Sequence, residues 1–168
     1  MKNFTRFTLW VVLIQAFNCR RIVVLSTTKD QKISIYKIID FGRAIYRFNG
    51  VLICSDSFHE NGDAATQYNC EPYYNPKKAV IEPNYSFDLC RLACSLFDYF
   101  VNDLRKVDRL CKEDPLVALV VDWTKDDKGR NVLYKSNGDE RYPDFKLYKM
   151  IARTVHLHTP ERQLQNAL

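Results

Sequence analysis

The stretch with the clearest chemical potential is Lys37-Ile38-Ile39-Asp40-Phe41-Gly42-Arg43, where an apolar, β-branched run of strand type stops abruptly at a carboxylate. Such a run sets the Asp40 side chain at a strand end, and Gly42 lets the chain turn there; the plain reading is a strand followed by a turn. Two other groups invite a chemical reading. Cys90 and Cys94 lie four apart and would share a face of a helix, so that with His156 and His158 they could supply four zinc ligands. The hydroxyls of Ser55, Ser57, Thr66 and Tyr68 fall in a polar stretch, where they read as phosphorylation sites or, more plainly, as solvated loop residues.

The zinc reading has little support from spacing. The cysteines stand at 19, 54, 70, 90, 94 and 111, make no Cys-x-x-Cys, and fit neither a zinc motif nor a compact secreted framework. They read as reduced thiols of an intracellular protein, which places the chain in the cytoplasm, with secretion not expected.

Around these residues the chain has 168 positions, 46% hydrophobic and 13% aromatic, the balance of a folded protein with one ordinary core. The formal charge is +5, and the excess gathers early, with Lys2, Arg6, Arg20, Arg21, Lys29, Lys32 and Lys37 set against Asp30 before Asp40. Phosphate or an anionic membrane would suit such an end, but it holds no long basic run and reads as a solvated face. Residues 8–17 form an apolar block behind Lys2 and Arg6. The layout is that of a signal peptide, yet the block is too short to span a bilayer, lacks a small-x-small cleavage pattern and runs into Arg20-Arg21. A buried helix or strand is expected there.

Ile22–Leu25 and Ile33–Ile39 are β-type runs joined by a polar connector, 26–32, and read as a hairpin over 22–39. From Arg43 to Pro83 periodicity is lost among Gly, Asn, Asp, Pro and Tyr, which predicts one long irregular segment. Residues 86–104 carry the best helical pattern: Leu89, Ala93, Leu96, Phe97, Phe100 and Leu104 form a stripe, Asn84 or Ser86 can cap, and Asp88 suits the positive end of the dipole. Pro115–Trp123 fits a short buried helix or a strand. Residues 126–140 read as a polar loop, and 144–156 as a last helix with Phe145, Tyr148, Ile151, Ala152 and Val155 on one face, ended by Thr159-Pro160.

With hairpin, Asp-Phe-Gly, long loop and helix in this order, residues 22–165 resemble the C-terminal lobe of a protein kinase. The closest look is that of the divergent kinase-like proteins of large DNA viruses, in Ile-Ile-Asp-Phe-Gly-Arg-Ala-Ile-Tyr (38–46), Asn-Tyr-Ser-Phe-Asp-Leu-Cys-Arg-Leu (84–92) and Ala-Arg-Thr-Val-His-Leu-His-Thr-Pro (152–160). The resemblance implies an α+β, mainly helical fold: a partial kinase-like C-lobe over 22–168 with an N-terminal β-hairpin, an activation-segment-like loop at 43–83, and a segment 1–21 without counterpart. It implies that Asp40, Phe41 and Gly42 form the nucleotide-side motif, with Asp40 the Mg²⁺ ligand and Phe41 packing beneath it. Asp88 would match the buried aspartate that braces the catalytic loop. Arg162 would match a late arginine paired with a glutamate closing the activation segment, for which Glu71 and Glu82, each beside a proline, are the candidates.

The departures decide the functional expectation. No glycine precedes Gly42, no Val-Ala-Ile-Lys motif is present, and no histidine precedes His59, so the Gly-rich loop, the ATP lysine and the His-Arg-Asp are all lacking. Asp30, the one aspartate before Asp40, sits in the hairpin connector and is not expected to act as a base. No catalytic residue is therefore assigned. The expectation is an incomplete protein kinase-like domain that would hold Mg²⁺ and ATP only if missing N-terminal parts completed it. The alternatives are an inactive pseudokinase-like interaction module and, from the Arg43-Ala44-Ile45-Tyr46-Arg47-Phe48 pattern, a basic nucleic-acid-binding protein. The expected partner is a protein or the missing N-lobe, rather than nucleic acid or membrane.

Overall fold

Asn49 and Gly50 turn the first element of the computed structural model, which describes residues 42–166. Both have positive φ, 49° and 81°, the left-handed pair that a two-residue hairpin turn requires and that Asn-Gly adopts at little cost. The flanking strands β1 (Ile45–Phe48) and β2 (Val51–Cys54) pair antiparallel, Phe48 opposite Val51 and Ile45 opposite Cys54. The segment 43–83 is thus not irregular throughout: local turn chemistry at Phe-Asn-Gly folds its first part into a ribbon. The hairpin expected over 22–39, the apolar block at 8–17, Asp40 and Phe41 lie outside the described residues.

The chain divides at Ser55 into two compact units, the hairpin belonging to the first and every later element to the second. The second unit opens with a short 3₁₀ turn, Asp56–Phe58, and a tight return in which the Ala64 N–H donates to the Ser57 carbonyl at 2.9 Å. Gly62 makes this possible, because a Cβ there would collide with that same carbonyl. The return buries Phe58 and Ala64 and sets Tyr68 between Phe58 and Phe87, with ring centroids 5.2 and 6.2 Å apart. Burial, first, pushes the Tyr68 phenol up to about 12. Tyr68 is therefore a packed ring and not a solvated loop hydroxyl, whereas Thr66 is exposed.

Helix α1 (Ser86–Phe100) is the central element. Asn84 Oδ1 accepts the Ser86 N–H at 2.9 Å, the capping role its sequence position suggests. The helix ends at Phe100, short of the expected Leu104; Leu104–Lys106 is a separate 3₁₀ turn started by Asp103, whose carboxylate accepts the Arg105 N–H. The buried stripe is Leu89, Cys90, Ala93, Cys94 and Phe97. Leu96 is 37% exposed, so the true stripe is rotated toward the two cysteines relative to the one drawn from large apolar residues alone.

Helix α2 (Val107–Glu113), which periodicity does not announce, leads into α3 (Pro115–Trp123). Asp114 Oδ1 accepts the Leu116 N–H at 2.8 Å and Pro115 occupies the first turn, so the ambiguous apolar run becomes a helix. α3 packs on α1 around Phe97, Val101, Val117 and Val121, and α2 adds Val107, Leu110 and Cys111 to the same cluster. Helix α4 (Phe145–Thr154) packs on the other part of α1, where Cys90, Cys94, Val132, Ile151 and Val155 form a second cluster. Thr159-Pro160 does not terminate the fold. It starts α5 (Pro160–Asn166), with Pro at the first helical position where no N–H is needed.

Among the described residues the fold is mixed α+β and mostly helical, five α-helices with one two-stranded antiparallel hairpin. None of these helices is long and apolar enough to cross a membrane. Phe97, 1% exposed, should be the costliest truncation on α1: Phe97→Ala is expected to lose about 3–5 kcal/mol in denaturant unfolding. Leu96→Ala should lose less than about 1 kcal/mol, and equal losses at the two positions would contradict the rotated stripe.

Candidate functional site

The residues that sequence brings forward do not converge. Cys90 and Cys94 share a face of α1, as their spacing requires, but that face is the apolar cluster with Val132, Ile151 and Val155. The hydrogen bond to Cys94, together with burial, pushes the Cys90 thiol up, which keeps it protonated and a poor ligand. Both imidazoles are engaged elsewhere: the His158 ring Nε2–H donates to the Lys125 carbonyl at 3.0 Å, and the His156 ring meets Asp127. Among the described residues no three His, Cys, Asp or Glu side chains gather as a metal site. The four ligands that the spacing allows are therefore not gathered: the thiols pack in the apolar cluster, and the imidazoles bond to Lys125 and Asp127.

Asp88 sits in the first turn of α1, at the surface, and its carboxylate accepts no hydrogen bond among the described residues. Protein packed around it nevertheless holds its pKa up through desolvation. A bracing carboxylate needs backbone donors, and none of the described residues provides them. Arg162 is exposed on α5; its backbone N–H reaches Thr159 Oγ1 at 3.3 Å, and its guanidinium pairs with neither Glu71 nor Glu82. Gly42 is exposed at the start of the described chain, where its carbonyl accepts from Ser55 Oγ at 2.5 Å.

What the fold does assemble is a cleft of about 240 Å³ between residues 80–84 and the C-terminal end of α4. Each wall is held by a buried polar side chain. On the first, Asn69, 6% exposed, donates from Nδ2 to the carbonyls of Asn75, Lys78 and Ala79 at 3.1, 3.1 and 2.9 Å, and accepts the Asn75 N–H at 2.9 Å. Its backbone exchanges two hydrogen bonds with Ile81. The two N–H groups of one amide are shared among three carbonyls of the 75–79 loop, which leads Val80, Ile81 and Glu82 to the cleft.

On the second wall, Asp126 organises the 126–130 turn. Its Oδ1 accepts the N–H groups of Lys128 and Arg130 at 3.0 and 2.9 Å, and its Oδ2 takes Arg130 Nε and Nη2 at 2.9 and 2.7 Å. Gly129 closes the turn at φ 75°. Burial by itself would raise the Asp126 carboxyl, but the hydrogen bonds from Arg130 and Lys128 outweigh it and hold the pKa below the usual range.

The turn presents Asp127, whose N–H donates to Thr154 O at 2.8 Å. Both Asp127 oxygens then grip one residue: Oδ1 accepts the His156 N–H at 2.8 Å and Oδ2 the ring Nδ1–H at 2.6 Å. With Nδ1 so committed, His156 lines the cleft with Nε2 unpartnered among the described residues. Arg153, one turn earlier, donates to Lys149 O at 2.7 Å and Thr66 O at 2.8 Å, without a carboxylate partner.

Sequence reasoning treated 126–140 as plain loop. The signal was present in Asp126-Asp127-Lys128-Gly129-Arg130, an Asx-type turn with glycine at its left-handed position. No family model matches this chain, and no curated protein or solved structure matches it.

The Asp126 clamp has a pH consequence. Because the folded-state pKa is depressed, its contribution to stability is present above the unfolded carboxylate value, about 3.9, and is lost as pH falls through that value toward the lower folded one. Asp126→Asn is expected to cost about 1–3 kcal/mol near neutral pH, the half-exposed Arg130 limiting the figure. It should also flatten the acid limb of a stability-against-pH curve, and an unchanged limb would show that the clamp is not coupled to folding.

Proposed function

We propose that the chain is an incomplete protein kinase-like domain that transfers no phosphoryl group by itself. The observation that carries this reading is the order of elements: Asp40-Phe41-Gly42 in the sequence, a stretch free of α-helix from 55 to 85, then α1 as the central buried helix with Asp88 in its first turn. Phosphoryl transfer depends on positioning and charge stabilisation by several parts at once. In this sequence a single carboxylate, Asp40, stands for the metal ligands, with no glycine before Gly42 to cover phosphates and no histidine before His59 to open a His-Arg-Asp. One carboxylate does not make a Mg²⁺·ATP site, since the ion asks for further oxygen ligands and the phosphates for a cation.

A second reading, a catalytically inactive interaction module of the same ancestry, is favoured by the outer face of α1. Leu92 and Leu96 are 44% and 37% exposed and Tyr99 80% exposed, at three- and four-residue steps, and Leu116 and Leu119 of α3 are exposed as well.

Incubating the purified chain with γ-labelled ATP, Mg²⁺ and a generic acceptor protein should give no transfer above the blank. Calorimetric titration with Mg²⁺·ATP should show weak binding at best, with no clear loss in Asp40→Asn. Transfer that disappears in Asp40→Asn, or a clear loss of ATP binding on that substitution, would overturn the inactivity.

A further inference from the structure

The cleft beside α4 is independent of the kinase-like reading and carries an inference of its own. Its lining combines Arg153 and His156, which lie one turn apart, with Glu82 and the apolar side chains of Val80, Ile81, Pro83 and Ala152. Arg153 is a cation without a carboxylate partner among the described residues, its guanidinium held in place by the carbonyls of Thr66 and Lys149. Burial of part of the guanidinium draws its pKa below the ordinary value. His156 is held by Asp127 at both its backbone N–H and its Nδ1, which leaves Nε2 as its one open polar atom. Asp127 does not compete for a ligand, since both its oxygens are occupied by His156.

We propose that this cleft binds a small oxyanion, a carboxylate or phosphate carrying a short apolar body, with the anionic group between Arg153 and His156. The guanidinium supplies charge-assisted donors, and Nε2 is the ring nitrogen that Asp127 leaves open to the ligand. Val80, Ile81, Pro83 and Ala152 receive the apolar body. The cleft, about 240 Å³, has room for a charged group with a short apolar body. Glu82 is the one carboxylate in the lining free of an ion pair, and it disfavours a second negative charge. Both walls are fixed in advance, the first by Asn69 and the second by the Asp126 turn, so little ordering is left for binding to pay.

The test is calorimetric titration of the full chain with isobutyrate and separately with inorganic phosphate, each against sodium chloride of equal ionic strength. Saturable binding of one or both is expected, and which of them saturates distinguishes the carboxylate from the phosphate. Arg153→Gln should weaken it about tenfold or more. His156→Asn keeps a side-chain N–H for Asp127 while deleting Nε2, and should weaken it by a similar factor with the fold intact by circular dichroism. Glu82→Gln should strengthen it. If Arg153→Gln fails to fold, His156→Asn and Glu82→Gln decide the matter. Binding no different from the chloride control, or equal in the wild type and both of these variants, means an adventitious ion only and overturns the proposal.

Discussion

A single buried carboxylate organises much of the second unit. Asp126, with its side chain 1% exposed, accepts two backbone N–H groups and the Nε–Nη2 edge of the Arg130 guanidinium. An ionised carboxylate taken out of water is costly unless its lone pairs are filled, and here four donors fill them. The bend it enforces lets the Asp126 N–H reach the Arg130 carbonyl and the Val132 N–H reach the Thr124 carbonyl, each at 2.8 Å. Val132, fully buried, is thereby inserted between α1 and α4, where it joins Cys90, Cys94, Ile151 and Val155. A polar loop thus supplies a core residue, and the apolar cluster depends on an electrostatic device that lies outside any helix.

The same turn connects packing with chemistry. Asp127 follows Asp126 directly, so a turn that places Val132 in the core also places a carboxylate at the end of α4, where it grips His156. Asn69 performs the matching task on the other side with one amide. The two walls of the cleft are held by side-chain-to-backbone hydrogen bonds, and these give fixed geometry to segments that regular secondary structure does not cover. Such positions are where a protein can present functional groups on irregular backbone without leaving the backbone unsatisfied.

The helices contribute in the opposite way. α1 touches both apolar clusters and so couples α3 to α4, yet its chemistry is nearly inert: its thiols are buried and its acidic residue in the first turn makes no hydrogen bond among the described residues. Its outward row of Leu92, Leu96 and Tyr99 is surface, whereas its inward row includes two cysteines in place of larger residues. Small thiols at Cys90 and Cys94 leave room for Ile151 and Val155 of the α4 region to close on the helix.

Local signals in the sequence were sufficient for much of this architecture. Helix α1, the Asn84 hydrogen bond at its start and the apolar face of α4 with Ile151, Ala152 and Val155 follow from periodicity and capping, because those depend on residues three or four apart. Asn49-Gly50 and Asp114-Pro115 were equally local, and their turn and cap chemistry accounts for β1–β2 and α3. The direction of α1 was not legible: whether Leu96 or the cysteines face inward depends on what α3 and α4 place against the helix. Nor could the cleft be read from sequence, since Arg153 meets Thr66 across 87 positions and His156 meets Asp127 across 29. Residue types and short spacings determined the elements by themselves, while the meeting of Asp127, His156, Arg153 and residues 80–84 was decided only by tertiary structure, because hydrogen bonds between distant residues leave no periodic trace in a chain.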